Sequence, residues 1–422
     1  MQFRKLFADE AFAVMRISNV RYFLAYRFIM TTATLMQSVV VSWQVYSLTK
    51  SVLWLGLIGL TEVIPQVGIA LFAGHFADIW DRKNIIKYTT FLLLLGSAIL
   101  TLYSIPSLHC YALFGIFPVF VTIFITGLVR GIITPAQTAF LGQLVSKELL
   151  TNAATWNSMN WQIAAVTGPA IGGLVYGFSG IIPAYVVVFL LYFISILFIV
   201  SVKSTRSVPV VSNNDGIFQR IHEGIKYVFD HQILLGAFSL DMFAVLFGGA
   251  VALLPAFASD ILKVGPQGLG LLRAAPAIGA IAMSVYLMYN PPLKKTGHYL
   301  LYAVTGFGIC MILFAVSANF YFSVLVLILS GVFDNLSVVI RGSILQIFTP
   351  DEMRGRVAAV NSIFIGSSNE LGAFESGVAA KLMGLVPSVI FGGGMTLLVV
   401  ATAAKKAPIL RRLSLKDSVG KE

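Results

Sequence analysis

Residues 154–173, Ala-Thr-Trp-Asn-Ser-Met-Asn-Trp-Gln-Ile-Ala-Ala-Val-Thr-Gly-Pro-Ala-Ile-Gly-Gly, meet a partial copy of themselves 204 residues further on. Ala154, Asn157, Ser158, Gly168 and Gly173 fall on Ala358, Asn361, Ser362, Gly372 and Gly377 without a gap. The same register carries Gly127 onto Gly331 and Glu148 onto Glu352. Nearer the start the register is 211, with Gly59, Leu60 and Pro65 falling on Gly270, Leu271 and Pro276. Apolar residues match by chance; an Asn-Ser pair and glycines at one fixed offset are harder to dismiss. The chain therefore reads as a duplication whose halves run in the same direction.

Composition says where such a duplication lives. Of 422 residues, 58% are hydrophobic and 11% charged, against about 25% charged in an ordinary soluble domain. Mean hydropathy is +0.87. Eighteen acids and 29 bases cannot cover the surface of a soluble chain this long. A soluble enzyme, a disordered chain and a disulfide scaffold are poor readings. The two cysteines, Cys110 and Cys310, stand in separate apolar stretches, so no disulfide framework or thiolate metal site is encoded.

A helix needs about 20 mostly apolar residues to cross the hydrocarbon. Twelve stretches qualify: roughly 21–48, 53–79, 84–105, 112–144, 148–178, 181–201, 231–258, 267–289, 297–316, 320–348, 354–381 and 386–404. The expected fold is all-α, two pseudo-symmetric six-helix bundles at 1–201 and 231–404, a connection at 202–230, and a basic tail at 405–422. Within the connection, Ile217, Ile221, Ile225 and Val228 recur at helical spacing, which predicts an amphipathic surface helix.

The bases fix an orientation. With both termini inside, the cytoplasmic segments hold Arg4, Lys5, Arg16, Arg21, Arg82, Lys83, Lys87, Lys147, Lys203, Arg206, Arg220, Lys226, Lys294, Lys295, Arg354, Arg356, Lys405, Lys406, Arg411, Arg412, Lys416 and Lys421. That is 22, against Lys50, Lys263 and Lys381 outside; Arg27, Arg130, Arg273 and Arg341 fall within spans. Such a split supports an even number of spans with cytoplasmic ends. The net charge of +11 is then a topology signal and needs no nucleic acid. The first span, with Arg27 and Gln37, is too long for a signal peptide. The tail bases most simply meet anionic lipid headgroups.

Gly74-His75-Phe76-Ala77-Asp78-Ile79-Trp80-Asp81-Arg82-Lys83 resembles the loop signature between spans two and three of the major facilitator superfamily. Gly168-Pro169-Ala170-Ile171-Gly172-Gly173 resembles its fifth-span antiporter motif, and Arg130-Gly131 stands where its fourth-span arginine does. Three stretches are similar to the enterobactin exporter group and its macrolide-efflux relatives: Trp43 to Thr49, Ala77 to Lys83, and Ser368 to Gly377. The second-half loop Asn290 to Lys295 departs from the signature, so no matching role goes there. The resemblance implies a multi-pass, monomeric transporter of the bacterial inner membrane. It also implies that Gly74, Asp78, Asp81 and Arg82 form a latch. Asp78, held by Arg82, would meet the positive end of the eleventh helix, expected to begin at Thr349-Pro350-Asp351-Glu352.

Nine ionisable residues fall inside spans: Arg27, Glu62, Arg130, Asp241, Arg273, Asp334, Arg341, Glu370 and Glu375. Each costs about 2.5–3.5 kcal/mol at a helix centre on insertion scales, so each should face a cavity or a partner. Arg130 and Asp334 are repeat-equivalent and opposite in charge; in the superfamily, spans one, four, seven and ten line the cavity, where the two can meet. Gln137 and Arg341 follow one heptad later, and Asp241 lies at Arg341's depth. Met30, Gln37 and Gln44 form a stripe suited to a wet cavity, and Asn361, Ser368 and Glu375 another on span eleven. Trp43, Phe238, Phe243 and Phe247 are candidates for an apolar pocket, with packing as the commoner role. Glu62 and Arg273 are repeat-equivalent, each three residues before a proline. A carboxyl in an apolar site binds a proton more readily. The proton-carrier candidates are Glu62 and Glu370, then Asp241 and Asp334. For any one of these, a merely structural ion pair is the competing reading.

No phosphate-binding glycine loop appears, so ATP-driven pumping is disfavoured, and the scattered histidines suggest no metal site. No cofactor is expected. The expected function is proton-coupled export of an amphipathic small molecule, foremost a siderophore, with macrolide-like efflux next. The reading from another class is a uniporter or importer of a metal ion or other small solute. Hard metals want several oxygens together; Asp241, Asp334 and Glu370 offer them, but the neighbouring arginines oppose a cation. A membrane sensor or scaffold has no large extramembrane domain to support it.

Overall fold

A computed structural model describes residues 12–203 and 217–416; within helices, the side chains of residues 71–79, 217–222, 351, 352, 354, 359, 362 and 363 lie outside that description. Among the described residues there is no strand. Twelve helices carry the fold. They are α1 (Ser18–Thr49), α2 (Val52–Ile79), α3 (Arg82–Tyr103), α4 (Phe117–Leu144), α5 (Leu150–Ser179) and α6 (Ile181–Ser201). The second repeat supplies α7 (Gln232–Phe247), α8 (Gly265–Tyr289), α9 (Thr296–Val316), α10 (Phe320–Phe348), α11 (Asp351–Met383) and α12 (Leu385–Lys406). Among the described residues the protein is all-α.

Ten segments are long and apolar enough to cross a membrane. The two helices that fall short, α5 and α11, are repeat partners. Asn152, Asn157 and Asn160 dilute the first; Asn361, Asn369, Glu370 and Glu375 dilute the second. Span seven differs from its expected single helix. It breaks after Phe247 at Gly248-Gly249 and continues through a 3-10 turn (Ala250–Leu253), a short turn (Leu254–Ala256) and a π turn (Phe257–Ile261). Paired glycines are a recognised cause of such breaks. The β-carbon of any other residue at 249 would lie 2.9 Å from the Gly372 carbonyl oxygen, so α11 packs directly on the break.

The helices form two compact units. One holds the described residues to Val41 and those from Ile64 to Lys203; the other holds Ser42–Val63 and the described residues from Ile217 onward. Within the first unit α3 packs on α4 and α6, and α5 on α6. Within the second, α9 packs on α10 and α12, and α11 on α12. The duplication in sequence is thus a duplication of contacts. It has a steric basis at Gly168 and Gly372. A β-carbon on Gly168 would fall 2.9 Å from the Thr32 carbonyl oxygen of α1; one on Gly372 would fall 2.8 Å from the Leu246 carbonyl oxygen of α7. Each repeat brings its fifth helix against its first at backbone distance, as small residues allow in lipid.

The amphipathic helix Ile217–Asp230 does not lie free. Glu223 pairs with Arg356 of α11, Tyr227 donates to the Phe348 carbonyl at 3.0 Å, and Val228 is buried. The residues after α12 are also docked: Leu410, Leu413 and Leu415 are buried and join the core formed by Phe238, Leu300 and Ile344.

Valine at Gly168 or at Gly372 is expected to cost about 1–3 kcal/mol by overpacking. Gly394, with nothing within 4 Å of an added β-carbon, should accept alanine with a gain of no more than about 1 kcal/mol. Denaturant unfolding of the three purified variants in mixed micelles measures the difference.

Candidate functional site

In the second unit, α7 and α10 are joined by a buried ion pair. Asp241 and Arg341 are in salt-bridge contact, only 6% and 5% exposed. The pairing agrees with their similar depth along the sequence. Arg341 Nε also donates to Ser337 Oγ at 3.3 Å. Asp334, seven residues before Arg341 on α10, is exposed on its unit. It acts electrostatically on Asp241, and Arg341 acts on it. Asp241, Asp334, Ser337, Phe307 and Phe333 line a narrow recess. One guanidinium thus serves two carboxylates.

The first unit has a matching arrangement. The Arg27 guanidinium of α1 donates to Gln137 Oε1 of α4, and its Nε donates to Asn157 Oδ1 of α5 at 3.0 Å. Gln137 Nε2 donates to the Tyr26 hydroxyl at 2.9 Å, which shares a hydrogen bond with the Thr90 hydroxyl of α3 at 3.0 Å. One polar chain ties four helices. Arg27 is the tenth residue of α1 and Asp241 the tenth of α7, while Gln137 and Arg341 are related by the repeat offset. Each link joins the first and fourth helices of its repeat, with the cation on the first helix in one unit and on the fourth in the other. Sequence reading missed Tyr26, Thr90 and the role of Arg27 in this link, because α1 and α7 share no matching motif.

A third group lies in the second unit. Arg273 of α8 has Glu370 of α11 and Glu62 of α2 as its charge partners. Its Nε has no hydrogen-bond partner. Glu62 and Glu370 are both partly buried. They are brought together by a close approach of α2 and α11: a β-carbon on Gly59 would fall 2.6 Å from the Glu370 carbonyl oxygen, and one on Gly56 3.0 Å from the Cα of Gly377. Two residues expected separately as proton carriers thus share one arginine.

The other expected residues fall as follows. Gly168, Pro169, Gly172 and Gly173 are all buried, with Gly168 and Gly172 on α1. The stripe of Met30, Gln37 and Gln44 is 8%, 7% and 4% exposed, so it is packed here, not open to water. Gln37 Oε1 has no partner. Phe238 is a core residue, which removes it from a pocket; Phe243 is exposed. Arg130 and Asn361 are partly buried. Ser368 is buried and bonded back to the Ile365 carbonyl at 3.1 Å, and Glu375 is partly buried. The side chains of Gly74 and Asp78 lie outside the described residues. Asp81 caps α3 by accepting from the Asn84 N–H at 3.0 Å. Arg82 reaches the Ala139 carbonyl of α4 at 3.5 Å, and Lys83 the Val202 carbonyl at 2.6 Å. α11 begins at Asp351 with Pro350 at its cap position and no side-chain cap, within the stretch expected for its start. Among the described residues no three histidine, cysteine or acidic side chains gather as a metal site.

The chain matches the family model described as transmembrane secretion effector over residues 9–420. It is 21% identical to the staphyloferrin A transporter of Staphylococcus aureus, over 87% of this chain and 90% of that one. It is 25% identical to the enterobactin exporter EntS of Shigella dysenteriae, over 88% and 87%. Among solved structures it is similar to a POT family transporter in complex with a thioalcohol-conjugated peptide, with TM-score 0.73, 11% identity and coverage of 93% and 96%. It is also similar to a mutant of the nucleoside transporter NupG, with TM-score 0.68, 13% identity and coverage of 92% and 99%.

Removing one member of a buried ion pair strands the other. Asp241→Asn is expected to cost about 3–5 kcal/mol, and adding Arg341→Gln should recover at least half of that loss. Arg27→Gln, whose partners are neutral amides, should cost less, about 1.5–3 kcal/mol. A double-mutant cycle of unfolding free energies reads the coupling directly.

Proposed function

Because the chain belongs to the transmembrane secretion effector family of the major facilitator superfamily, we propose that it exports a siderophore in exchange for protons. The chain is a multi-pass membrane transporter of a small molecule, not an enzyme. The finer reading places it in a bacterial inner membrane with both ends cytoplasmic, as the 22-to-3 division of bases suggests. The relatives named for staphyloferrin A and enterobactin support a siderophore as cargo.

The arrangement that carries this reading is Arg273 between Glu62 and Glu370. One guanidinium neutralises one carboxylate. The three groups together carry one net negative charge, which a proton removes by binding a carboxylate. While ionised, its lone pairs accept hydrogen bonds from the hydroxyl groups with which siderophores chelate iron. A proton arriving from outside occupies the same lone pairs and weakens those bonds. Competition for one set of oxygen atoms makes proton and cargo exclude one another, and that exclusion is antiport.

Release then requires the site to change sides, with the bundles at 1–201 and 231–404 rocking about a midplane site. In this reading Gly56, Gly59 and Gly377 form a closed contact that must part, and Asp78, Asp81 and Arg82 latch the other side. Gly168 and Pro169 give α5 a flexible small-residue face on α1. Asp241, Asp334 and Arg341 form the second charge group, with one surplus carboxylate of its own.

Purified protein in liposomes, with an imposed pH gradient, tests the proposal. Gradient-driven efflux of an iron-free catecholate or hydroxycarboxylate siderophore is expected. Glu62→Gln or Glu370→Gln should lower it at least tenfold, about 1.4 kcal/mol, and leave the residual transport insensitive to the imposed gradient. Full gradient-driven export by all four of Glu62→Gln, Glu370→Gln, Asp241→Asn and Asp334→Asn would sink proton coupling through these groups. Export of a macrolide with no siderophore transport would overturn the cargo.

A further inference from the structure

Most of the bases on the proposed cytoplasmic side are accounted for by topology, but one group is built into a recess. The α8–α9 turn and the segment after α12 border an open recess of about 490 Å³ lined by Lys294, Lys295, His298, Arg412, Ser414 and Lys416. That volume lies within the range of small-molecule sites, about 300–1,000 Å³. It admits a phosphate together with its ester group.

The recess depends on how the tail is held. The Gly297 N–H donates to the Leu413 carbonyl at 3.1 Å, and the Lys416 N–H to the Leu293 carbonyl at 3.0 Å. The Leu415 N–H donates to the Thr296 hydroxyl at 3.3 Å. Leu413 and Leu415 are buried, so the residues alternating with them, Arg412, Ser414 and Lys416, are presented together to the recess. Four permanent cations and a histidine converge there, and among the described residues no acidic side chain lines it.

That arrangement is electrostatically unfavourable as it stands. The cations repel one another. Lys294 and Lys295 also sit at the N-terminal end of α9, where the helix dipole is positive and cations are disfavoured. The N–H groups that might attract an anion themselves are in use: those of Gly297 and His298 are bonded to the Leu413 and Lys295 carbonyls. The site is therefore one of side chains. His298 Nδ1 is buried with no hydrogen-bond partner. An anion with several acceptor oxygens relieves the repulsion and gives charge-assisted hydrogen bonds to arginine and lysine at once.

We propose that this recess binds a phosphate group, either of an anionic lipid headgroup or of a soluble phosphate compound. Its placement on the cytoplasmic leaflet rests on the orientation proposed above; the binding itself does not, and neither depends on transport. Lys405, Lys406 and Arg411 lie outside the recess on the same stretch of chain, which provides an internal comparison.

The test uses the full chain in two arms. In one, native mass spectrometry titrates phosphatidylglycerol onto the detergent-purified protein; in the other, isothermal calorimetry titrates inorganic pyrophosphate. Lys294→Gln with Arg412→Gln and Lys416→Gln removes three recess charges. Lys405→Gln with Lys406→Gln and Arg411→Gln removes three outside it. The recess variant is expected to bind at least fivefold more weakly in one arm, while the comparison variant changes less than twofold. Loss in the lipid arm assigns a headgroup; loss in the pyrophosphate arm alone assigns a soluble phosphate. Equal losses in the two variants, or no loss in the recess variant in either arm, overturn the proposal. If the triple recess variant does not fold, the exposed Lys416→Gln alone should weaken binding two- to threefold, and an unchanged affinity there counts against the site.

Discussion

An ion placed in hydrocarbon needs an opposite charge or a dense set of dipoles, and in both units such requirements join helices that no motif connects. Arg27 is held by Gln137 and Asn157, Arg341 by Asp241, and Arg273 stands between Glu62 and Glu370. These groups carry positional information that apolar packing lacks. Leucine packs against leucine in many registers, whereas a stranded guanidinium is expensive in all registers but one. The polar links therefore fix which helices meet and at what depth, while the glycines set how closely.

Those glycines act where lipid gives little drive for association. Tails are as apolar as side chains, so helices adhere through close packing and Cα–H contacts to carbonyls. Gly168 on α1 and Gly372 on α7 are the same solution used twice. The Gly56–Gly377 approach has another character, since it brings a helix of the first repeat against one of the second within a single compact unit. A contact with no side chains between its backbones has little to unpack when it opens, which suits a junction that has to part and reform.

Much of the fold was legible in the sequence because bilayer thickness is a strict ruler. All twelve spans, the amphipathic connection and the duplication follow from hydropathy and two offsets, and the observed ends differ from most of the expected ones by a few residues. The interruption of span seven was not legible from hydropathy, since Gly248-Gly249 costs an apolar window almost nothing. The docking of the tail escaped for a related reason: Leu410, Leu413 and Leu415 are few, and the bases between them read as a solvated run. Of the candidate site, the Asp241–Arg341 pair could be reached from depth alone. The grouping of Glu62 with Glu370 around Arg273 needed three helices to be placed in space. The burial of Gln37 and Gln44 depends on neighbours that a single-helix stripe cannot reveal.

The Arg27–Gln137 link and the Asp241–Arg341 link, each between the first and fourth helices of its repeat, bear on how the two halves can have diverged. A half-sized ancestor assembled from two identical copies would carry the same link twice. In the present chain the cation stands on the first helix of one repeat and the fourth helix of the other. Setting α1 in the place of α7 would bring Arg27 against Arg341, and the reverse exchange would leave Asp241 facing a neutral amide. Each repeat has thus become unable to replace the other, although their shapes still correspond. A duplicated gene whose copies have traded charge in this way cannot readily return to a symmetric pair, because any single reverting substitution strands an ion in the membrane.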